Sequence, residues 1–248
     1  MRILAKLTWV EIKLFLREPL TLVFTLAFPV SLLLVLAQVF GNNPDPDVYG
    51  GFGPTDFYIP AYIGVVIASL GLITLPVHLA GYRERGILRR FRASAVPGWS
   101  VLGAQVIVSL VIGALGSAFL IAVAFAIYEV RVPSLGSALQ FVGAFGLAML
   151  SFAALGVLLG SVLPTARAAQ GAGLVLFFAM WLISGAGPPV ELLSDPIVFV
   201  ADALPLSHAT TLLQDPWFGV GWNVTETLVV SGVLVLSSLL SLRFFRWE

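Results

Sequence analysis

The sequence predicts an all-α membrane protein with six transmembrane helices. Its 248 residues are 59% hydrophobic and only 10% charged, and the mean hydropathy is +1.01. Two stretches, residues 57–82 and 93–128, run for 26 and 36 residues without Asp, Glu, Lys or Arg. Because about 20 apolar helical residues cross a bilayer, both stretches indicate membrane spans rather than helices of a soluble core.

Hydrophobic segments divide the chain into six spans. Their predicted bounds are residues 19–40, 57–80, 101–128, 135–163, 168–187 and 222–242. Little chain lies between them, so we expect one membrane domain over residues 1–248. The chain has no cysteine, which excludes disulfides, thiolate metal sites and cysteine nucleophiles. In the fourth span, Gly156 and Gly160 have the spacing that permits close helix packing.

Basic residues are distributed unevenly among the predicted loops. Of the 13 Lys and Arg, 12 fall on the side of both termini and of residues 83–92, and only Arg131 falls on the other. Under the positive-inside rule, both termini are cytoplasmic, as in a multi-pass protein of a bacterial or archaeal plasma membrane. The net charge of zero gives no reason to expect a nucleic-acid partner.

Residues 2–18 predict an amphipathic helix lying along the inner leaflet. At about 100° per residue, one narrow edge carries four basic residues: Arg2, Lys6, Lys13 and Arg17. This edge suits lipid headgroups, and Pro19 favours a break over a straight extension of the first span. Glu11 and Glu18 point the opposite way. Because an unpaired carboxylate there is costly, we expect Glu11 to pair with an arginine of residues 83–92.

Residues 83–92 hold five of the eleven arginines. Three arginines repeat at i, i+4 and i+7, and three apolar residues take the other face: Arg85, Arg89 and Arg92 against Ile87, Leu88 and Phe91. This pattern predicts a short amphipathic helix across the inner ends of spans two and three. A few scattered cations would suffice to fix topology, so the ordered pattern favours a lever that a partner moves.

Two parts of the chain resemble the membrane subunits of ABC-2 type exporters, a permease family of ATP-binding cassette transporters. Residues 82–97 are similar to that family's Arg-Glu-x-Gly-x-Leu-x-Arg-Leu-x-x-x-Pro-hydrophobic loop. Residues 184–195 and 204–209 are similar to its small-Gly-x-x-Pro turn, short outer helices and Leu-Pro-Leu-Thr stretch. Relatives commonly have aromatic residues where this chain has Gly187, Pro188 and Pro189.

The resemblance implies a role for each segment. Residues 83–95 would be a coupling helix seated on an ATPase, residues 2–18 a connecting helix, and residues 188–212 short re-entrant outer helices. The ATPase-coupling residues would be Arg83, Glu84, Arg85, Gly86, Arg89, Arg90, Phe91 and Arg92. Pro188 and Pro189 would lie at an outer gate.

Glu226 is the acid expected to lie within the hydrocarbon. About 24 Å of helix separates it from Arg243, less than a bilayer core of about 30 Å, so it should lie one turn below the outer interface. It would then be a polar contact for cargo or a partner at the exit. The alternatives are a carboxylate that reaches the outer headgroups or one paired near Trp222.

Energy for transport must come from another chain. The only lysines, Lys6 and Lys13, follow no glycine-rich stretch, so no phosphate-binding loop is present. We expect a non-enzymatic subunit without a cofactor, two copies of a partner ATPase that bind ATP and Mg²⁺, and a second permease, identical or paralogous. The cargo would be a hydrophobic or amphipathic drug, antibiotic or lipid, or a lipid-linked glycan.

Two other function classes fit less well. A secondary transporter or channel ordinarily has ionisable groups near the membrane midplane, and spans one to five carry none. An intramembrane hydrolase built on Ser184 and His208 would lack the glycine two residues before the serine. His78 and His208 are expected at opposite membrane faces, which disfavours a shared metal site.

Overall fold

The computed structural model describes residues 2–17, 19, 23–40, 43–128 and 130–245, without the side chains of Arg2, Phe24 and Phe40. Every regular element in these residues is a helix, which confirms the all-α prediction. Predicted features at Glu18 and Arg246 lie outside the described residues.

Twelve α-helices follow one another along the described chain. They are α1 (Arg2–Phe15), α2 (Phe28–Phe40), α3 (Pro46–Tyr49), α4 (Pro54–Ser69), α5 (Leu75–Glu84), α6 (Ile87–Ala93), α7 (Gly98–Ile127), α8 (Leu135–Val162), α9 (Ala166–Ile183), α10 (Asp195–Ala201), α11 (Pro205–Phe218) and α12 (Val224–Phe244). Two π-helical segments, Val23–Ala27 and Leu70–Thr74, lead into α2 and join α4 to α5, and a 3₁₀ turn spans Val190–Leu192.

Five stretches of the described chain are long and apolar enough to cross a bilayer. They are Pro46–Glu84, Gly98–Ile127, Leu135–Val162, Ala166–Ile183 and Val224–Phe244. Helices α10 and α11 are bent by 86° and form either a sixth, broken span or a re-entrant loop. The predicted span 19–40 lies partly outside the described residues, and its described part contains a shorter apolar helix, Thr25–Val39.

Helix α4 lies at the centre of the bundle. Almost all of its residues are buried, and Ile59, Tyr62 and Ile67 are completely so. It packs against α2, α7 and α11, while α8 packs against α5 and α12. Since lipid tails are as apolar as these side chains, close van der Waals packing rather than water exclusion holds the spans together.

Glycines set the closest contacts around the second π-helical segment. A Cβ atom at Gly156 would overlap the carbonyl oxygen of Gly71, and one at Gly160 would lie 2.9 Å from the Cβ atom of Leu79. A Cβ atom at Gly173 of α9 would overlap the carbonyl oxygen of Leu72. The close packing expected for Gly156 and Gly160 is therefore present, and α9 makes a similar contact.

Candidate functional site

The arginine-rich segment forms two helices joined by a turn. Helix α5 ends at Glu84, Gly86 has φ +67°, and α6 begins at Ile87. The expectation of one helix over residues 83–95 is therefore wrong for its first four residues, because a glycine in the left-handed conformation ends α5. Arg85 consequently shares no helix face with Arg89 and Arg92.

Helix α6 is anchored by one fully buried apolar residue and presents three cations. Leu88 is 1% exposed and packs in a cluster with Leu75, Leu79 and Val101. Phe91 is half-buried at the edge of that cluster. The side chains of Arg89, Arg90 and Arg92 are all exposed. We call these three residues the arginine surface.

Arg83 and Glu84 form hydrogen bonds with neighbouring helices. The Arg83 guanidinium donates to the carbonyl oxygens of Ser161, at 2.9 Å, and Leu163, at the C-terminal end of α8. The Glu84 carboxylate accepts a hydrogen bond from the Ala166 backbone N–H, at 3.0 Å, at the start of α9. These two adjacent residues therefore bind both sides of the α8–α9 connection.

Arg85, just after α5, is held against that helix. Its Nε donates to the Gly81 carbonyl oxygen at 3.1 Å, and its guanidinium carbon lies 6.0 Å from the centroid of the Tyr82 ring. A groove of about 560 Å³ lies beside Arg89, and its lining also includes Arg83, Glu84, Pro164 and Phe244.

Helix α1 packs on α7 and leaves an amphipathic face exposed. Lys6, Lys13 and Arg17 are exposed, as is Trp9, and the Lys13 Nζ lies 5.0 Å from the Trp9 ring centroid. Lysine and tryptophan side by side are typical of a helix at a membrane interface. The helical part of the predicted segment 2–18 ends at Phe15.

Glu11 is buried, as expected, but its partner differs from the predicted one. The Tyr82 hydroxyl donates to Glu11 Oε1 at 2.7 Å. No arginine nitrogen among the described side chains forms an ion pair with this carboxylate. The hydrogen bond nevertheless ties α1 to α5 one residue before the arginine-rich segment. A neutral phenol can satisfy a buried carboxylate oxygen, which charge pattern alone does not reveal.

The outer residues lie on separate elements. Pro188 is half-buried and Pro189 is buried in the connection between α9 and the 3₁₀ turn. Glu226, in the first turn of α12, lies 2.6 Å from Nδ1 of His208 on α11. Nε2 of His208 lies 2.8 Å from the Asp202 carbonyl oxygen. Sequence reasoning considered His208 but did not predict its contact with Glu226, because that contact joins two helices.

No group of three or more His, Asp or Glu side chains in the described parts of the chain could hold a metal ion. Cationic groups at the exposed end of one short helix can bind carboxylates or carbonyl oxygens of a partner.

The chain was compared with models of known protein families. Residues 4–218 match the family model described as ABC-2 type transporter. The match begins in α1, ends in α11, and includes the whole arginine-rich segment. A comparison with curated proteins found no match.

Proposed function

Because the chain belongs to the ABC-2 type transporter family, we propose that it is the permease of an ATP-driven exporter. Its family and its apolar helices make it a multi-pass membrane protein and a permease component of an ABC transporter. ABC-2 permeases typically work with a partner ATPase. The proposal adds the direction of transport, the docking surface for that ATPase and the class of cargo.

The arginine surface is the observation that carries the proposal. Its three side chains are exposed, while Leu88 anchors the same helix in a buried cluster. A helix fixed on one side and cationic on the other can receive force without detaching from the bundle. Helix α6 packs on α5, which in turn packs on α8 and α9, so a displacement of α6 has a path into the spans.

The partner's surface should be acidic. Guanidinium groups form short, charge-assisted hydrogen bonds with carboxylates, and their planar shape favours two bonds to one partner. ATP and Mg²⁺ bind to the ATPase, whose closure on nucleotide would move α6.

The proposed orientation puts the arginine surface and both termini in the cytoplasm. It rests on the distribution of cations along the chain, since 12 of 13 fall on one side. Helix α1 then lies along the inner leaflet, with Lys6 and Lys13 near the headgroups.

The proposed cargo is hydrophobic or amphipathic. Glu11, near the inner end of the bundle, is the buried charged residue among the described side chains, and the other buried polar residues are hydroxyls and amides. A membrane bundle with so few buried charges suits a drug, an antibiotic or a lipid better than a small ion. A lipid-linked glycan would share the lipid part of that chemistry.

Neutralising the arginine surface tests the docking proposal. Replacing Arg89, Arg90 and Arg92 by Gln should lower the affinity of the purified permease for its ATPase by at least about tenfold, because charge-assisted contacts are lost. Co-purification and ATP hydrolysis in liposomes measure the effect. Arg243→Gln, which removes an exposed cation at the other end of the sequence, is the matched control and should change little. Equal affinity of the triple variant and the parent would contradict the proposal.

The cargo class is tested in the same liposomes. A lipophilic fluorescent dye and a short lipid-linked glycan are offered separately, and ATP hydrolysis is compared with and without each probe. Stimulation by the dye supports drug-like or lipid-like cargo, whereas stimulation by the glycan alone would replace that cargo with glycan export.

A further inference from the structure

We propose that Arg83 and Glu84 act as a clamp that makes the end of α5 and the start of α9 move together. The clamp passes a displacement of α6 to α9, and this role rests on the export function proposed above. The two residues are therefore positioning residues within the permease rather than contacts for the ATPase.

The first half of the clamp is a cap on α8. Carbonyl groups in the last turn of a helix have no partner within that helix. The Arg83 guanidinium donates to two such carbonyl oxygens, those of Ser161 and Leu163. Its positive charge also lies at the negative end of the helix dipole, where a cation is favourable.

The second half is a cap on α9. Thr165 is the N-cap residue and its hydroxyl accepts from the Ala168 N–H at 3.1 Å, while Glu84 accepts from the Ala166 N–H. A carboxylate at the start of a helix is favourable for the same electrostatic reason. Glu84 lies at the C-terminal end of α5, where a negative charge is unfavourable. Its contact with α9 offsets that cost.

The order of the two charges matches the order of the two helix ends. The cation of α5 binds the C-terminus of α8, and the adjacent anion binds the N-terminus of α9. One turn earlier, a Cβ atom built on Gly81 would lie 3.6 Å from the Cβ atom of Ala166. The backbones of α5 and α9 are therefore in close contact at the clamp, with little room to move independently.

This arrangement divides the arginine-rich segment into two parts. Arg89, Arg90 and Arg92 are exposed, whereas Arg83 is half-buried and both clamp residues bind backbone atoms of α8 and α9. The turn at Gly86 separates the two parts. Substitution of Arg89, Arg90 or Arg92 should therefore weaken binding of the ATPase. Substitution of Arg83 or Glu84 should instead weaken the transmission of its movement to α9.

A fluorescent label on α9 tests transmission without a known cargo. The chain has no cysteine, so Gln170→Cys on an exposed position of α9 can be labelled uniquely. In the reconstituted complex, ATP should change the label's fluorescence. Adding Arg83→Met or Glu84→Ala should reduce that change by at least about tenfold. Affinity for the ATPase should stay within about twofold, since the docking contacts are intact.

Arg90→Gln is the matched control, because it removes an exposed charge of the arginine surface. It should lower ATPase affinity, yet leave a full response of the label once the ATPase is saturating. A full response in the two clamp variants would overturn the clamp. So would loss of ATPase affinity in those variants, because Arg83 and Glu84 would then be docking contacts.

A disulfide between α5 and α9 replaces the link that Arg83 and Glu84 form, and it controls for misfolding of the variants. Gly81→Cys and Ala166→Cys place two Cβ atoms at a separation that a disulfide accepts. Position 170 is labelled after this disulfide has formed. In the Glu84→Ala background, the oxidised form should regain the ATP response and lose it again on reduction. A variant that stays unresponsive with the disulfide formed would overturn the proposal.

Failure of the export function is recognised separately. If the unmodified permease neither binds nor stimulates an ATPase, the proposed function itself is wrong, and the binding assay shows this before any label is read. If the unmodified complex responds to ATP and only the clamp variants behave contrary to expectation, the clamp alone is wrong.

Discussion

Gly86 and Ala95 frame α6, and both adopt a left-handed backbone. Gly86 has φ +67° and Ala95 has φ +52°. Glycine takes this conformation freely, whereas for a residue with a Cβ atom it costs about 1–2 kcal/mol. No atom lies within 4 Å of a Cβ built on Gly86, so a substitution there changes backbone preference without a clash.

Substitutions at these two positions should have opposite effects on α6. Gly86→Ala should destabilise the start of the helix by about 1–2 kcal/mol, and Ala95→Gly should relieve strain at its end. Hydrogen exchange of residues 87–94 measures both effects: faster exchange is expected for the first variant and slower for the second. The exchange rate in Gly86→Asn should lie between the rates in Gly86→Ala and in the parent, because Asn tolerates this conformation. If Gly86→Ala and Ala95→Gly changed the exchange rate in the same direction, this explanation would be contradicted.

His208 holds the outer helices together through two hydrogen bonds. A carbonyl oxygen only accepts, so Nε2 donates to Asp202, and Nδ1 then shares one proton with the Glu226 carboxyl group. The pair joins α11 to α12, and the bond to Asp202 supports the 86° bend. Both side chains are largely buried.

Removing the imidazole should loosen this junction. His208→Ala leaves the Glu226 carboxyl group without its partner and should cost about 1–3 kcal/mol, lowering the thermal midpoint in detergent by roughly 2–10 °C. Asp202→Ala is the control: it keeps the carbonyl group that His208 uses, so it should leave the midpoint nearly unchanged. Equal midpoints for His208→Ala and the parent would show that the pair contributes nothing to stability.

At the scale of elements, helix α9 is fitted to the π-helical segment between α4 and α5. Gly173 faces the carbonyl group of Leu72, whereas Gly171, two residues earlier on the same helix, is exposed, and no atom lies within 4 Å of a Cβ atom added there. The two glycines therefore serve different purposes, although sequence alone does not distinguish them. Gly173 permits contact between two backbones at the centre of the bundle.

Adding one methyl group at each glycine tests this contact. Gly173→Ala should force α9 away from Leu72 and cost about 1–3 kcal/mol, as overpacking does elsewhere. Gly171→Ala should be neutral or stabilise the helix by up to about 1 kcal/mol, because alanine favours a helix. Thermal unfolding in detergent compares the two. Equal destabilisation by both substitutions would contradict the proposed packing.

At the scale of the whole molecule, orientation decides whether the arginine surface can meet an ATPase. We predict that Ser94→Cys, exposed just after α6, reacts with a membrane-impermeant maleimide only after the membrane is opened. Val132→Cys, exposed near Arg131, should react on intact cells. The two variants control for one another, since the parent has no cysteine. If only the cysteine at position 94 reacted on intact cells, the orientation would be the opposite of the proposed one, and the docking proposal would be wrong.

Much of the fold and part of the site were predictable. Charge-free stretches identified the spans because crossing a bilayer imposes a length and an apolar composition. The exposed arginines and buried Leu88 followed from helical periodicity. The prediction of a single helix over residues 83–95 was wrong, because the left-handed turn at Gly86 ends one helix before the next begins. The hydrogen bonds of Arg83 and Glu84 could not be predicted, because their partners are backbone atoms far away in the sequence.

The sequence by itself determined that this is a helical membrane protein, which family it belongs to, and where its cations concentrate. Those properties are local, since hydropathy, charge and motif spacing need no knowledge of neighbouring helices. Only the tertiary structure decided which charges bind other helices and which are exposed, that Tyr82 satisfies Glu11, and that His208 meets Glu226. Each of those contacts joins residues from different helices, so their partners are set by packing in three dimensions.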